Sequence, residues 1–189
     1  MLVLASASPR RQELLRNAGI HFVVEPTNIP EAAHEGELPQ DFAERMAREK
    51  AEAVFRTRPK DFVLGADTVV VIDGMILGKP RDAADAARML RLLSGRTHEV
   101  ITGVCLMGPS LKAGFQNTRS ETTLVTMSEL SDQDIRDYIA TQEPLDKAGA
   151  YGIQGMASRW IPHIEGDYFN VVGLPVALVL RMLHEHGVK

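Results

Sequence analysis

The chain has 189 residues, of which 44% are hydrophobic and 24% charged, and its formal net charge is -4. A chain of this length can bury one sizeable core, as a single domain or as two small lobes. The acidic balance excludes a global basic field for duplex DNA or RNA, so no nucleic-acid partner is expected. Any phosphate chemistry must therefore depend on local positive charge.

The N-terminal sequence MLVLASASPRR does not fit a secretory signal, because its apolar stretch is too short and its arginines follow that stretch. No apolar run approaches the ~18 residues of a membrane span. Cys105 is the only cysteine, which excludes an internal disulfide and fits a reducing compartment. We expect a cytoplasmic protein with no membrane partner.

A strand at residues 2–4 leads directly into a helix with Ser8 as its cap and Pro9 in its first turn. Arg10 and Arg11 follow in that turn. The free N–H groups of a helix start and two arginines are typical of a phosphate cradle. Simple capping of the helix by Ser8 is the alternative interpretation.

A strand at residues 21–25 is followed by an acidic loop and by a helix over residues 40–56. Lys50 lies on the apolar stripe of this helix, seven residues after Ala43. Such a lysine either extends to the edge of the core or reaches a buried anion. The glutamates of the loop, Glu31 among them, belong either to a solvated surface or to a site.

The stretch VLGADTVVVIDGMILGKP, at residues 63–80, begins as a buried strand that contains Asp67. An unpaired carboxylate in an apolar interior is strongly disfavoured, so Asp67 should face a cation, a metal or several donors. Asp73 and Gly74 predict a tight hairpin, which would carry Lys79 back towards Asp67. A buried Asp–Lys ion pair without chemistry is the alternative.

The rest of the chain predicts further helices and strands. The predicted helices run from Asp82 to about Leu93, from Ser131, in a capping box with Asp134, to about Thr141, and onward from Gly173-Leu174-Pro175. The predicted strands are residues 98–107, 120–127, 160–164 and 168–172, with a Gly-Pro loop between the first two.

Residues 144–155 differ in composition from the preceding chain and form a glycine-rich segment. Its glycines are at 149, 152 and 155, and Gln154 lies between the last two. Glycines permit close backbone approach, and the Gln154 amide carries both a donor and an acceptor. The segment could read the edge of a planar ring, or it could be a plain connection rich in turns.

Five sequence blocks occur together: SASPRR, Lys50 on its helix, GADTVV with GKP, LSGRTHEVITGV at 93–104, and EPLDKAGAYGIQG at 143–155. In this order, along essentially the whole chain, they resemble the Maf family of nucleoside triphosphate pyrophosphatases, in its dTTP/UTP branch. The resemblance implies one Maf-type domain over residues 1–189 and an α/β fold of the Maf/ITPase-like kind. Such a fold has an elongated, twisted mixed sheet flanked by helices, and two lobes with a central cleft.

The resemblance also implies hydrolysis of the α,β-phosphoanhydride to a nucleoside monophosphate and pyrophosphate, with Mg²⁺ or Mn²⁺ as cofactor and a homodimer as the assembly. Asp67, Lys50 and Lys79 would be catalytic, with Asp67 as the proton acceptor. Glu31 and Asp67 would hold the metal, and Glu35 competes with Glu31 for that assignment. The expected substrate-binding residues are Ser8, Arg10, Arg11, Thr68 and Gln154.

These roles agree with the chemistry of the residue types. Arg11, Lys50 and Lys79 can offset the charge of a triphosphate, and carboxylates suit magnesium. Asp67 would orient or deprotonate the attacking water, or hold the metal. The alternative function is a nucleotide-binding regulator of cell division or septum formation in which hydrolysis is secondary, and the substrate could be a standard or a modified pyrimidine nucleotide.

Overall fold

A computed structural model describes residues 1–109 and 114–188. Its strands are β1 (Leu2–Leu4), β2 (Val23–Val24), β3 (Phe62–Ile72), β4 (Met75–Leu77), β5 (Thr97–Gly108), β6 (Phe115–Thr126) and β7 (His163–Glu165). Its α-helices are α1 (Pro9–Asn17), α2 (Pro39–Phe55), α3 (Ala83–Leu93), α4 (Asp132–Ala140), α5 (Tyr168–Val172) and α6 (Val176–Glu185). Short 3₁₀ segments cover Glu143–Asp146, Ala148–Ala150 and Met156–Trp160.

The seven strands form one sheet in the order β2-β1-β3-β5-β6-β7, with β4 paired to β3. Strand β1 runs parallel to β2 and β3, whereas β4 is antiparallel to β3 and β7 is antiparallel to β6. The sheet is therefore mixed, and the predicted α/β class with a mixed sheet flanked by helices is confirmed.

The chain divides into two compact units. The first consists of Met1–Thr68, Thr102–Glu121 and Gly173–Lys189, and the second of Val69–Ile101 and Thr122–Val172. Strands β3, β5 and β6 each contribute residues to both units. The assignment of a single domain over residues 1–189 stays a prediction.

In the first unit, α2 lies directly on the sheet. A Cβ added at Gly65 of β3 would overlap the carbonyl oxygen of Ala47, and one at Gly103 of β5 would overlap the carbonyl oxygen of Ala43. The absence of side chains at these two positions lets the helix backbone approach the strands closely. This close packing places the inner face of α2, which carries Lys50, against β3.

In the second unit, α3 and α4 share a hydrophobic core with the 3₁₀ segment Met156–Trp160. Tyr138 of α4 is fully buried, and its ring meets Trp160 edge-on at a centroid distance of 5.5 Å. The predicted caps are confirmed: Asp82 accepts from the backbone N–H of Asp85, and Ser131 forms a capping box with Asp134.

Most predicted elements are confirmed within a few residues, including the Asp73-Gly74 hairpin, in which Val70 pairs with Leu77. The strand predicted at residues 168–172 is wrong, because this segment forms helix α5. The Asp167 carboxylate accepts from the backbone N–H of Phe169 at 2.7 Å, which caps the helix start against the strand preference of the apolar residues.

The strand predicted at residues 160–164 is displaced to β7, since Trp160 ends a 3₁₀ segment. In the loop predicted between β5 and β6, residues 110–113 lie outside the described residues. Within the two described ranges, no helix is both long enough and apolar enough to cross a membrane.

Candidate active site

Asp67 and Lys50 form a buried ion pair in the first unit. Nζ of Lys50 donates to Oδ1 of Asp67 at 2.6 Å, and both side chains are only 9% exposed. The same Nζ donates to Oε1 of Glu31 at 2.5 Å, and the Glu31 side chain is 44% exposed. Lys50 therefore reaches a buried anion rather than extending to solvent, and it is the cation that the position of Asp67 required.

Burial raises the pKa of the Asp67 carboxyl, while the positive charges of Lys50 and Arg11 oppose that rise. A buried carboxylate with a perturbed pKa and defined charge partners is typical of functional sites, although structural ion pairs also produce it. Asp67 is thus placed where a proton acceptor could operate, with a cation beside it to hold its orientation.

Arg11 of α1 is buried, and its guanidinium donates to three acceptors. Nε donates to the carbonyl oxygen of Gly173 at 2.8 Å, Nη1 to Oγ of Ser6 at 3.2 Å, and Nη2 to Oγ1 of Thr68 at 3.0 Å. Oγ1 of Thr68 also lies 2.9 Å from Oγ1 of Thr102. Burial lowers the pKa of Arg11, and the carboxylates of Asp67 and Glu31 counteract this.

This network fixes two of the predicted specificity residues, Arg11 and Thr68, against each other. Sequence reasoning did not identify Ser6, Thr102 or the Gly173 carbonyl as their partners. No local signal could have done so for Gly173, because 162 positions separate it from Arg11.

The start of α1 agrees with the sequence prediction. Ser8 is the N-cap, and its Oγ accepts from the backbone N–H of Arg11 at 3.5 Å, while Ser6 Oγ accepts from the N–H of Ser8 at 3.2 Å. Arg10 lies half-buried in the same turn. Capping and phosphate binding are compatible here, because a capped helix start still offers N–H groups and partial positive charge to an anion.

Glu31, rather than Glu35, contacts Lys50. Its loop is attached to α2 by Arg45, which sequence reasoning missed: Arg45 makes a bidentate pair with Glu37, at 2.6 and 2.7 Å, and donates to the carbonyl oxygen of Ala32 at 2.9 Å. The hydrogen bonds from Arg45 lower the pKa of Glu37 to about 2. The loop that carries Glu31 therefore has a charged anchor.

Lys79 and Gln154 belong to the second unit, and both are exposed. Lys79 follows Gly78, whose carbonyl oxygen accepts from the backbone N–H of Gly149 at 3.1 Å. Gly149 has φ of 66°, and an added Cβ there would lie 2.9 Å from Val70. The structure thus joins the segment that carries Lys79 to the start of the glycine-rich segment that carries Gln154.

The predicted metal ligands are two carboxylates, Glu31 and Asp67, and the metal itself stays a prediction. Over residues 1–109 and 114–188, no group of three or more His, Cys, Asp or Glu side chains is arranged to hold a metal ion. Glu31 and Asp67 both face the Nζ of Lys50 and offer the hard oxygens that magnesium prefers. Magnesium is commonly bound by one or two carboxylates and completed by water and substrate phosphates.

Comparison with known proteins gives a match along almost the entire chain. A family model described as Maf-like protein matches residues 1–186. A protein of Koribacter versatilis named dTTP/UTP pyrophosphatase is 61% identical over 187 residues, which cover 99% of this chain and 95% of that protein. A protein of Bacillus cytotoxicus with the same name is 50% identical over 183 residues, covering 97% of this chain and 94% of its own.

Among solved structures, the Ham1 protein of Staphylococcus aureus aligns with 67% of this chain and 71% of its own, with a TM-score of 0.45 and 14% identity.

Proposed function

This chain belongs to the Maf family, and on that premise we propose that it hydrolyses dTTP and UTP to the nucleoside monophosphate and pyrophosphate. The prediction of an enzyme of the nucleotide pyrophosphatase class is confirmed by relatives that carry this name and align along almost the whole chain. The observation that most supports the assigned residues is that Lys50, which is buried with Asp67, also contacts the more exposed Glu31.

In the proposed reaction, the oxygen of a water molecule attacks the α-phosphorus, and the bond from that phosphorus to the bridging oxygen of pyrophosphate breaks. The Oδ atoms of Asp67 accept the proton that the water loses. Lys50 holds the carboxylate in place and, together with Lys79, offsets phosphate charge that grows on the leaving pyrophosphate. The N–H groups at the start of α1, with Ser8 and Arg10, bind phosphate oxygens.

Glu31 and Asp67 would hold Mg²⁺ or Mn²⁺ together with the substrate phosphates. When bound, the metal supplies further stabilisation of negative charge and a lower pKa for the attacking water. Lys50 would then contribute to the position of both carboxylates, since it contacts each of them in the free protein.

We assign base selection to Gln154, Arg11 and Thr68. The edge of uracil or thymine presents an acceptor, a donor and an acceptor, and the amide of Gln154 can complement two of these. Cytosine inverts part of that pattern, so a site built on these hydrogen bonds should reject it. Modified uracils that keep this edge would be accepted as well.

The test is pyrophosphate release from a panel of ribo- and deoxynucleoside triphosphates, with Mg²⁺, Mn²⁺ or a chelator. We expect metal-dependent turnover that is strongest with dTTP and UTP. Absence of turnover with every nucleotide in the panel would contradict the proposal.

The role of Asp67 is tested by Asp67→Asn, which should keep the fold and nucleotide binding but lose turnover. Asp73→Asn is the matched control, because Asp73 lies exposed at the hairpin turn with φ of 51°, a conformation that asparagine tolerates. Full turnover by Asp67→Asn would remove Asp67 from the reaction. The homodimer and the link to cell division stay predictions.

A further inference from the structure

Gln154 is presented by a tight turn in the second unit. The backbone N–H of Gly155 donates to the carbonyl oxygen of Gly152 at 3.1 Å, which makes Ile153 and Gln154 the two central residues of the turn. Ile153 is 8% exposed, whereas Gln154 is exposed. The turn therefore buries one central side chain and displays the other.

A single carboxylate supports the C-terminal end of this turn. Oε2 of Glu143 accepts from the backbone N–H of Met156 at 3.1 Å, and Oε1 accepts from the hydroxyl of Tyr138 at 2.9 Å. Glu143 itself is half-buried at the start of a 3₁₀ segment. A carboxylate that receives two hydrogen bonds, one on each oxygen, is restrained in both position and rotation.

The hydroxyl of Tyr138 supports the other end. Its oxygen accepts from the backbone N–H of Gly152 at 3.2 Å while its proton goes to Glu143. The ring of Tyr138 is fully buried against Trp160. Gly152, which begins the turn, and Met156, which directly follows it, are thus hydrogen-bonded to one Tyr138–Glu143 pair.

Gly155 is required by the same carboxylate. Its φ of -97° is accessible to any residue, so the backbone conformation does not call for glycine. An added Cβ would instead overlap Oε1 of Glu143, with Oε2 at 2.6 Å. The glycine leaves room for the carboxylate beneath the turn.

We propose that Glu143 and Tyr138 are positioning residues that set nucleobase selectivity by fixing the turn that presents the Gln154 amide. The inference rests on the proposed function, in which Gln154 reads the base. Hydrogen bonds discriminate only when the donor and acceptor are held in place, and a shift of about 1 Å can cost on the order of a hundredfold in rate.

The first test compares kcat and KM for UTP and CTP in wild type, Glu143→Gln and Tyr138→Phe. Tyr138 and Met156 donate to different oxygens of Glu143, and glutamine replaces one of these oxygens with an NH₂ donor, so one of the two hydrogen bonds is lost in this arrangement. Phenylalanine keeps the ring but removes the hydroxyl that joins Gly152 to Glu143. For both variants we expect the UTP/CTP ratio of kcat/KM to fall roughly tenfold, chiefly through a higher KM for UTP.

Glu129→Gln is the matched control, because Glu129 is an exposed carboxylate of the same unit. It should leave the ratio unchanged. Thermal unfolding of each variant separates a local shift of the turn from loss of the fold, and Tyr138→Phe provides the test if Glu143→Gln does not fold.

A second test uses Gly155→Ala in the wild-type and Glu143→Ala backgrounds. In wild type the new methyl group should displace the Glu143 carboxylate and lower the UTP/CTP ratio. In Glu143→Ala the methyl group meets no carboxylate, so a further fall should be absent. Equal effects in the two backgrounds would overturn the inference.

The two proposals fail in different ways. A wild-type protein without turnover of UTP or dTTP overturns the proposed function. The positioning role alone is overturned if the wild-type protein hydrolyses UTP and both Glu143→Gln and Tyr138→Phe have the same UTP/CTP ratio of kcat/KM as wild type. A parallel loss of kcat for both nucleotides at constant ratio has the same meaning, since it indicates a purely structural effect.

Discussion

Nζ of Lys50 lies 2.6 Å from Oδ1 of Asp67, and both side chains are almost withdrawn from solvent. Loss of one partner from a buried ion pair leaves the other charge without compensation. We expect Lys50→Met to reduce the free energy of unfolding by about 3 to 5 kcal/mol, measured by urea denaturation at pH 7.

Two controls accompany this measurement. Lys60→Met changes an exposed lysine in the same unit and should be nearly neutral. The double variant Lys50→Met/Asp67→Asn should recover much of the loss, because the amide is uncharged. If Lys50→Met and Lys60→Met unfold at the same urea concentration, the pair contributes nothing to stability.

Arg11 donates through Nε, Nη1 and Nη2 to three acceptors, and the ammonium of lysine cannot reproduce this planar arrangement. We therefore expect Arg11→Lys to destabilise the fold by about 2 kcal/mol, since buried acceptors lose their donors. Arg16→Lys, at an exposed position of the same helix, is the control for urea denaturation. Equal stability of the two variants would show that the buried network is dispensable.

The close packing of α2 on β3 depends on Gly65. Gly65→Ala would place a methyl group against the backbone of Ala47, so α2 must move outward at a cost of about 3 kcal/mol. Gly78→Ala is the matched control, since an added Cβ there meets nothing within 4 Å and φ is not positive. Thermal unfolding of both variants tests this prediction, and an unchanged Tm for Gly65→Ala would contradict it.

His98 is buried, and its Nε2 lies 2.7 Å from the Tyr151 hydroxyl. Burial lowers the pKa of His98 from 6.5 to about 4. The unfolded chain therefore binds a proton at higher pH than the folded chain does. The stability that neutral His98 contributes is therefore fully present above about pH 6.5. It declines as the pH falls towards 4, by about 3 kcal/mol in total.

The measurement for His98 is urea denaturation at several pH values between 7 and 4 for wild type and His98→Gln. We expect the variant to lose less stability over this interval, whatever its stability at pH 7. His163→Gln, at an exposed histidine, is the control. The same acid dependence in wild type and His98→Gln would rule out His98 as its source.

The sequence was sufficient to predict that Asp67 needs a partner, because a carboxylate within an apolar strand is costly without one. Helical spacing then placed Lys50 on the inner face of α2, and the structure joins the two. The Tyr138–Glu143 support of the turn was not predicted, since a half-buried glutamate and a core tyrosine carry no signal that links them before the chain is folded.

Helix α5 is an element for which the sequence prediction was wrong. The residues of 168–172 include adjacent valines and aromatic rings, which favour a strand, yet the Asp167 cap and the tertiary context determine a short helix. The strand preference of individual residues has little influence on the structure of a segment of only five residues. Long elements such as α2 and β5 repeat their pattern often enough to be predicted within a residue or two.

The first unit combines segments that precede and follow the second unit along the chain, whereas the second is complete once Val172 has been made. The carbonyl that receives Nε of Arg11 belongs to Gly173. During synthesis, which proceeds from the N-terminus, the second unit therefore has all of its residues before the first does. The buried arginine of α1 therefore lacks this acceptor until Gly173, 162 positions further along the chain, has been made.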